Sequence, residues 1–332
     1  MKRILLALCF ACAISAYASS AVADAITTYR GICNASAGID LGAGYFIVAD
    51  DEINSLVIYR YDTPKHVGKV ELNVYLNGPD GGKGEADLEG AARIGDTIYW
   101  IGSHGRNADD ELKPKRHRLF ATRIDLSGAT PTVAMPNAKP YGGLLEALAS
   151  DRRFSVLTEA SEKGAEKPRG LNIEGLADTK DGGLYIGFRN PLSDANLSAH
   201  VLKLKNPDAV INRNAAPVFD DLILLDLGKR GIRSMERVGD EYFIVAGPID
   251  DGKAGRPESR FAIYRWTGER NTRPMYWKDI DPPDFHAEGL FAIAGTDRLY
   301  LLSDDGGKRS VCKAKSHEMS DDKTFRGMSL RY

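Results

Sequence analysis

Residues 172–191 read NIEGLADTKDGGLYIGFRNP. Glu174 stands at the head of an apolar run and a glycine follows it. Asp181-Gly182 then supplies a tight turn, and a second apolar run, GLYIGF, returns. The stretch is a hairpin with an acid at its root. Residues 87–107, DLEGAARIGDTIYWIGSHGRN, and residues 286–307, HAEGLFAIAGTDRLYLLSDDGG, repeat it around Glu89 and Glu288. Residues 36–54, SAGIDLGAGYFIVADDEIN, and residues 231–251, GIRSMERVGDEYFIVAGPIDD, share the hairpin, with Gly38 and Arg233 in the place of the acid. The five positions are 50 to 60 residues apart, with about 30 extra between Glu89 and Glu174.

Each unit carries further strands. A third alternating run appears as SLVIYRY, RLFATRI, HVLKLK or FAIYRW, and a fourth as KVELNVYL, TPTVAMP, LILLDLG or PMYWKDI. Four antiparallel strands at this period predict an all-β chain folded as a β-propeller. The count favours five blades, with six as the alternative. The extra residues fall near 141–169, where LLEALASDRRFSVLTEA reads as a helical insertion, or else covers a degenerate sixth blade. The last unit runs out of strands at FRGMSLRY. DAITTYRGI, near the other end of the chain, can supply the missing strand and close the ring.

Residues 1–23 read as a signal peptide. Lys2 and Arg3 precede an apolar stretch too short to span a bilayer, and Ala21-Val22-Ala23 offers small residues for cleavage. This predicts a periplasmic or secreted protein without a membrane span, with residues 24–332 as one propeller domain. The chain of 332 residues is 43% hydrophobic and 27% charged, an ordinary globular balance. Its net charge of −2 becomes more negative once Lys2 and Arg3 are gone, which argues against nucleic acid as a partner. Only Cys33 and Cys312 survive cleavage, one near each end. In an exported protein they are expected to pair as a disulfide that clasps the ring.

The repeat also locates a site. The first strand of a blade lies nearest the propeller axis, so Glu89, Glu174, Glu288 and Arg233 are expected to gather at one mouth of the axial channel. The loop after each second strand returns to the same mouth. Those loops bring Asp50 and Asp51, His104, Arg106 and Asn107, Arg189 and Asn190, Asp250 and Asp251, and Asp304 and Asp305. Converging carboxylates suit a hard divalent cation, Ca²⁺ above all, and the metal candidates are Glu89, Glu174, Glu288 and Asp304. Arg106, Asn107, Arg189, Asn190 and Arg233 are the candidates for gripping a small anionic molecule. His104 and His286 are candidate general bases. A metal, arginines and a histidine together suit hydrolysis of a phosphate or carboxylic ester. The rival reading is a non-catalytic binding or scaffold propeller, probed by a protein partner, in which glutamates and arginine form a structural ionic ring. His66, His117, His200 and His317 read as surface residues, and LKPKRHR at 112–118 as a solvated hairpin tip. The G-x-S-x-G, P-loop, H-E-x-x-H and C-x-x-C signatures are absent from 24–332, and no organic cofactor is expected. The protein is expected to be a monomer.

The succession DLEGAARIGDTIYWIGSHGRN, NIEGLADTKDGGLYIGFRNPL and GIRSMERVGD resembles an uncharacterised bacterial family, the domain of unknown function 3616, over nearly all of 24–332. That resemblance implies a secreted β-propeller and no particular activity. More distantly, the E-G inner strands are similar to phytase-like and gluconolactonase-like propellers, which use Ca²⁺ or another divalent ion at one mouth. This similarity implies Glu89, Glu174 and Glu288 as ligands and names no catalytic residue. Arg233 departs from it, standing where a fourth acid would complete the set.

Overall fold

A computed structural model of the protein describes residues 25–80, 82, 84–167, 169–250, 257–307, 312 and 318–332. The signal peptide expected over 1–23, Asp251 and His317 lie outside the described residues. Twenty strands dominate the described residues. After β1 (Ile26–Gly31) come four strands in succession, β2 (Ala35–Gly42), β3 (Tyr45–Asp50), β4 (Ser55–Arg60) and β5 (Thr63–Glu71). A second set is β6 (Leu88–Ile94), β7 (Thr97–Gly102), β8 (Leu119–Asp125) and β9 (Thr132–Ala134). The third is β10 (Asn172–Asp178), β11 (Leu184–Leu192), β12 (Ala199–Leu204) and β13 (Ile223–Leu225). The fourth is β14 (Gly231–Val238), β15 (Glu241–Gly247), β16 (Ala262–Trp266) and β17 (Met275–Asp279), and β18 (Ala287–Ile293), β19 (Arg298–Ser303) and β20 (Ser320–Arg331) end the chain.

Within each set, neighbours in sequence pair antiparallel, because tight turns leave no room for a crossover. The sets β6–β9, β10–β13 and β14–β17 are separate four-stranded sheets. β1 pairs antiparallel with β20 from Ile26↔Met328 to Arg30↔Thr324, as the sequence predicts. It also touches β5 through the single parallel pair Arg30↔Lys65. That pair joins β18-β19-β20-β1 to β5-β4-β3-β2 as one eight-stranded sheet that nearly closes into a barrel.

The first strands form the hub. β2 packs on β6, β6 on β10, β10 on β14, β14 on β18, and β18 on β2. Successive side chains point to opposite faces, and inner strands such as β3, β7 and β11 are buried along nearly their whole length, so the sets bury both faces against their neighbours. The result is a series of hydrophobic clusters between successive sets. One joins Leu56 and Ile58 to Trp100 and Phe120, and another joins Tyr185 and Val201 to Tyr242 and Trp266. The closing cluster holds Tyr29 of β1, fully buried, stacked on Phe325 of β20 at 5.1 Å and edge-on to Phe46 of β3. This architecture is a β-propeller.

The expected insertion is helical. α2 (Leu144–Ala149) and α3 (Ser155–Ala160) bury Leu144, Leu148, Phe154 and Leu157 against the sheet of β10–β13. Three expectations are corrected. KVELNVYL does not stay extended: Asn73–Asn77 form a short helix, α1, because Leu72 and Leu76, one helical turn apart, are both buried. Residues 112–118 are no solvated tip: Pro114–Arg116 form a 3₁₀ turn from which Arg116 points inward to Glu85 and Asp87 at 2.8 and 3.0 Å. His117 and His200 are buried, His200 with Nδ1 2.9 Å from the Pro191 carbonyl.

Candidate metal and ligand site at the ring mouth

The acid-glycine motif has a backbone cause. Every first-strand hairpin has a register slip near its open end, a β-bulge in which one extra residue faces the partner strand; the β2–β3 and β10–β11 hairpins each have a second slip. The extra residue is Glu89 between Leu88 and Gly90, Glu174 between Ile173 and Gly175, Arg233 between Ile232 and Ser234, and Glu288 between Ala287 and Gly289. In β2 it is Ser36, between Ala35 and Ala37. The first unit is therefore aligned on Ser36, not Gly38. A bulge turns one side chain out of the pleat, and here it collects the four charged residues at one mouth. The glycine that follows is required by close approach. A Cβ on Gly90 would stand 2.9 Å from Leu176 Cβ, and one on Gly175 2.7 Å from Ile232 Cγ2.

The mouth splits into two groups. In the first, Arg233 Nε lies 2.8 Å from Glu174 Oε2, and the same guanidinium pairs with Glu288. Glu174 Oε1 accepts from Asn172 Nδ2 at 2.8 Å and from Arg189 at 3.2 Å. Arg189 and Arg233 also donate to the Pro248 carbonyl, and Arg233 lies over the Phe261 ring. Burial, and then Arg189, pull the Arg233 guanidinium down to about 10. Glu174 and Arg233 are 2% and 5% exposed, so this is a buried ionic network.

In the second group Asp51, Asp87 and Glu89 bring carboxylate oxygens within 4.8 Å of one another. Arg116 and the Ser103 hydroxyl bind Asp87. Among the described residues nothing hydrogen-bonds or ion-pairs with the Glu89 carboxylate, although Glu89 is only 8% exposed. Asp51 Oδ1 is likewise buried without a partner. Burial pushes Glu89 well above the usual carboxylate range, and Glu174, Asp87 and Asp51 add to it. Burial does the same to Asp51, with Asp304 the next cause. Asp87 is raised by burial against the pull of Arg116. Other buried polar atoms here lack hydrogen bonds too: Asn172 Oδ1, Asn190 Oδ1, His104 Nε2, and Glu174 Oε2 with Arg233 Nε, whose 2.8 Å approach is an ion pair without hydrogen-bond geometry. An open groove of about 900 Å³ has Glu52, Asn54, Glu71 and Glu85 on its walls.

The remaining candidates have other neighbours. Arg106 donates to the Ser161 and Asp110 carbonyls and to Glu162, and Asn107 bonds Glu111. Arg106 thus holds the segment after α3 against the loop after β7, and Asn107 closes that loop on itself. Asn190 donates to the Ala165 and Ile249 carbonyls across the mouth. His104 is 1% exposed, stacks on His117 at 5.4 Å, and binds the Gly102 carbonyl through Nδ1. Burial lowers it to about 3, so it is a neutral, weakly basic imidazole. His286 packs at an angle on Phe261. Asp304 bridges to Asn34, and its Oδ1 accepts from Gly306 N–H at 2.7 Å. Cys33 and Cys312 form a disulfide. Asp87 escaped the sequence reading. Its trace in the chain is the D-L-E spacing, but strand alternation does not pair the two acids: Asp87 precedes β6 with a φ of 51° and Glu89 sits in the bulge.

Residues 130–281 match the family model of a protein of unknown function, DUF3616. The DUF3616 match contains NIEGL, GFRNPL and GIRS, the motifs that carried the resemblance, and is narrower than the span the resemblance implied. No curated protein matches the chain. Among solved structures, a glutaminyl cyclase from Myxococcus xanthus is 11% identical, over 92% of this chain and 94% of that one, with a TM-score of 0.45. A gluconolactonase from Xanthomonas campestris is 12% identical over 92% and 89%, with a TM-score of 0.40. An arabinoxylan arabinofuranohydrolase of glycoside hydrolase family 43 from Bacillus subtilis is 12% identical over 90% and 63%, with a TM-score of 0.49. At these scores none lends its activity to the DUF3616 segment. No helix among the described residues is long and apolar enough to cross a membrane.

Proposed function

We propose that the protein is an exported five-bladed propeller whose mouth binds a divalent cation, Ca²⁺ foremost, and through it a small anionic molecule. The blade count is supported by the five bulged hairpins and the cyclic packing of β2, β6, β10, β14 and β18. One observation carries the cation: the Asp51, Asp87 and Glu89 oxygens lie within 4.8 Å of one another, while Arg233 is engaged by Glu174 and Glu288. Buried carboxylates without counter-ions are costly, and a hard cation with oxygen ligands relieves that cost. Asp304 completes the acidic surround, since it is the strongest charged influence on Asp51. Glu174 and Glu288 orient Arg233 in this reading instead of ligating. A cation so placed suits hydrolysis of phosphate or carboxylic esters, and these are the first substrates to test.

A second reading has its own support. The Arg189–Glu174–Arg233–Glu288 network pairs acids with bases across three first-strand hairpins, as a purely structural ring would. Calorimetric titration of chelator-treated protein with Ca²⁺ separates the two. Stoichiometric binding that disappears in Asp51→Asn supports the cation site. No binding of Ca²⁺, Mg²⁺ or Mn²⁺ leaves the structural ring.

A further inference from the structure

The geometry points to the Cys33–Cys312 disulfide as the bracket that positions the two acidic loops of the mouth, so that its oxidation state sets the affinity of the cation site. This rests on the cation reading above. Cys33 follows β1 and is 3% exposed. Its carbonyl accepts from Asp305 N–H at 3.0 Å. The next residue, Asn34, donates its N–H to Asp50 Oδ2 at 3.0 Å and accepts from Asp51 N–H at 3.3 Å. Asn34 also forms a β-bridge with Asp304. Gly306 lies hard against it: a Cβ there would stand 1.8 Å from Asn34 Oδ1. Two consecutive residues thus fix the loop that carries Asp51 and the loop that carries Asp304.

The bond is not what keeps the ring shut. β1 pairs with β20 along five consecutive residue pairs before the register breaks at Gly31, and Tyr29 anchors it in the closing core. Residues 32–34 lie beyond that pairing, and Cys33 is where they are covalently held. Reduction by dithiothreitol adds two electrons and two protons to the S–S bond, gives two thiols and closes the reagent to its cyclic disulfide. The Cys33-Asn34 bracket then loses its tether while β1 stays paired. Asp51 is freed to turn toward water, which relieves its burial without any cation.

The test is Ca²⁺ titration of the full exported chain, oxidised and after dithiothreitol, with the Cys33→Ala/Cys312→Ala double variant beside it. The expected result is an unchanged β-sheet circular dichroism spectrum with Ca²⁺ affinity lower by on the order of tenfold, within the usual range of coupling between sites. Equal affinity in the oxidised and reduced protein overturns the inference and leaves the cation site standing. Loss of the sheet spectrum in both the reduced protein and the double variant also overturns it, because the bond then holds the fold and not the loops. No Ca²⁺ binding by the oxidised protein removes the cation reading itself.

Discussion

Arg233 Nε stands 2.8 Å from Glu174 Oε2, and this contact decides which carboxylates of the mouth remain available to a cation. Arg233 reaches Glu288 with the same guanidinium. Glu89 occupies the equivalent bulge in its own hairpin, and among the described residues no arginine hydrogen-bonds or ion-pairs with it, although the Arg233 charge partly offsets its burial. Equal positions in the repeat thus hold acids of two kinds, neutralised and bare, and substitutions at them should behave in opposite ways.

Glu174→Gln keeps an oxygen for Asn172 and Arg189 but removes the charge facing Arg233. A buried cation then loses one of its two anions. Breaking a buried pair costs on the order of 3–5 kcal/mol. Chemical denaturation of the variant should show a loss of that size. A change near zero would show that Glu288 alone satisfies Arg233.

Glu89→Gln should do the reverse. It removes, at nearly constant shape, a carboxyl that burial makes costly to ionise. We expect a melting temperature in chelator higher by on the order of 2–4 °C, the equivalent of about 1 kcal/mol. Ca²⁺ affinity should fall by more than about tenfold, the loss that outer-shell changes alone produce. Both are measured on one sample. A variant that is destabilised and binds Ca²⁺ as before would mean that Glu89 has a structural partner and is no ligand.

Much of this mouth was legible in the chain. NIEGL, DLEGA and HAEGL announce the bulged hairpins, because an acid followed by glycine recurs where close packing at the hub requires the glycine. Which acid is neutralised was not legible. That depends on Arg189 and Arg233 reaching across from neighbouring residues of the ring, a tertiary fact with no local signature. Arg106 and Asn107 follow β7 in the loop, whereas Arg189 and Asn190, their counterparts in the repeat, continue β11. The segment after α3 folds back onto the former pair, and an insertion's path is not written in the repeat. His117 and His200 differ from their sequence reading for a related reason: His117 stands between Arg116 and Arg118 and reads as exposed, but it stacks on the His104 ring, and the Pro191 carbonyl gives His200 a buried partner.

Cation binding should release protons. Burial holds Glu89 and Asp51 well above the ordinary carboxylate range, so each keeps its proton at pH values where a solvated acid, with a pKa near 4, has lost it. In chelator these groups therefore favour the folded state at low pH, and that contribution is lost as pH rises through their folded values. Ca²⁺ needs the carboxylates ionised, so its affinity should rise with pH over the same range. Calorimetry at one pH in two buffers of different ionisation enthalpy gives the proton count directly. Binding with no proton exchange at mildly acidic pH would place the ion on carboxylates that are already ionised.

The last prediction concerns Glu236, which lies on β14 beyond Arg233 toward the opposite end of the strand. Burial raises its carboxyl to about 8, opposed by a 3.1 Å hydrogen bond from Ala292 N–H and assisted by Asp178. The sign follows from proton binding. Between the ordinary glutamate value near 4.3 and this raised value, the folded state holds a proton that the unfolded chain has released. Stability therefore declines as pH rises through that window, and the favourable contribution is present only below it. Glu236→Gln mimics the protonated acid and keeps the oxygen that accepts from Ala292. At pH 5 it should match the parent protein. At pH 8.5 it should be the more stable, by on the order of 1–2 kcal/mol once its partial exposure is allowed for. Chelator-treated samples unfolded in urea at several pH values between these limits give the two stability curves. Parallel curves would show that Glu236 is ionised in the folded protein and held by a charge that the Asp178–Arg237 pair does not already claim.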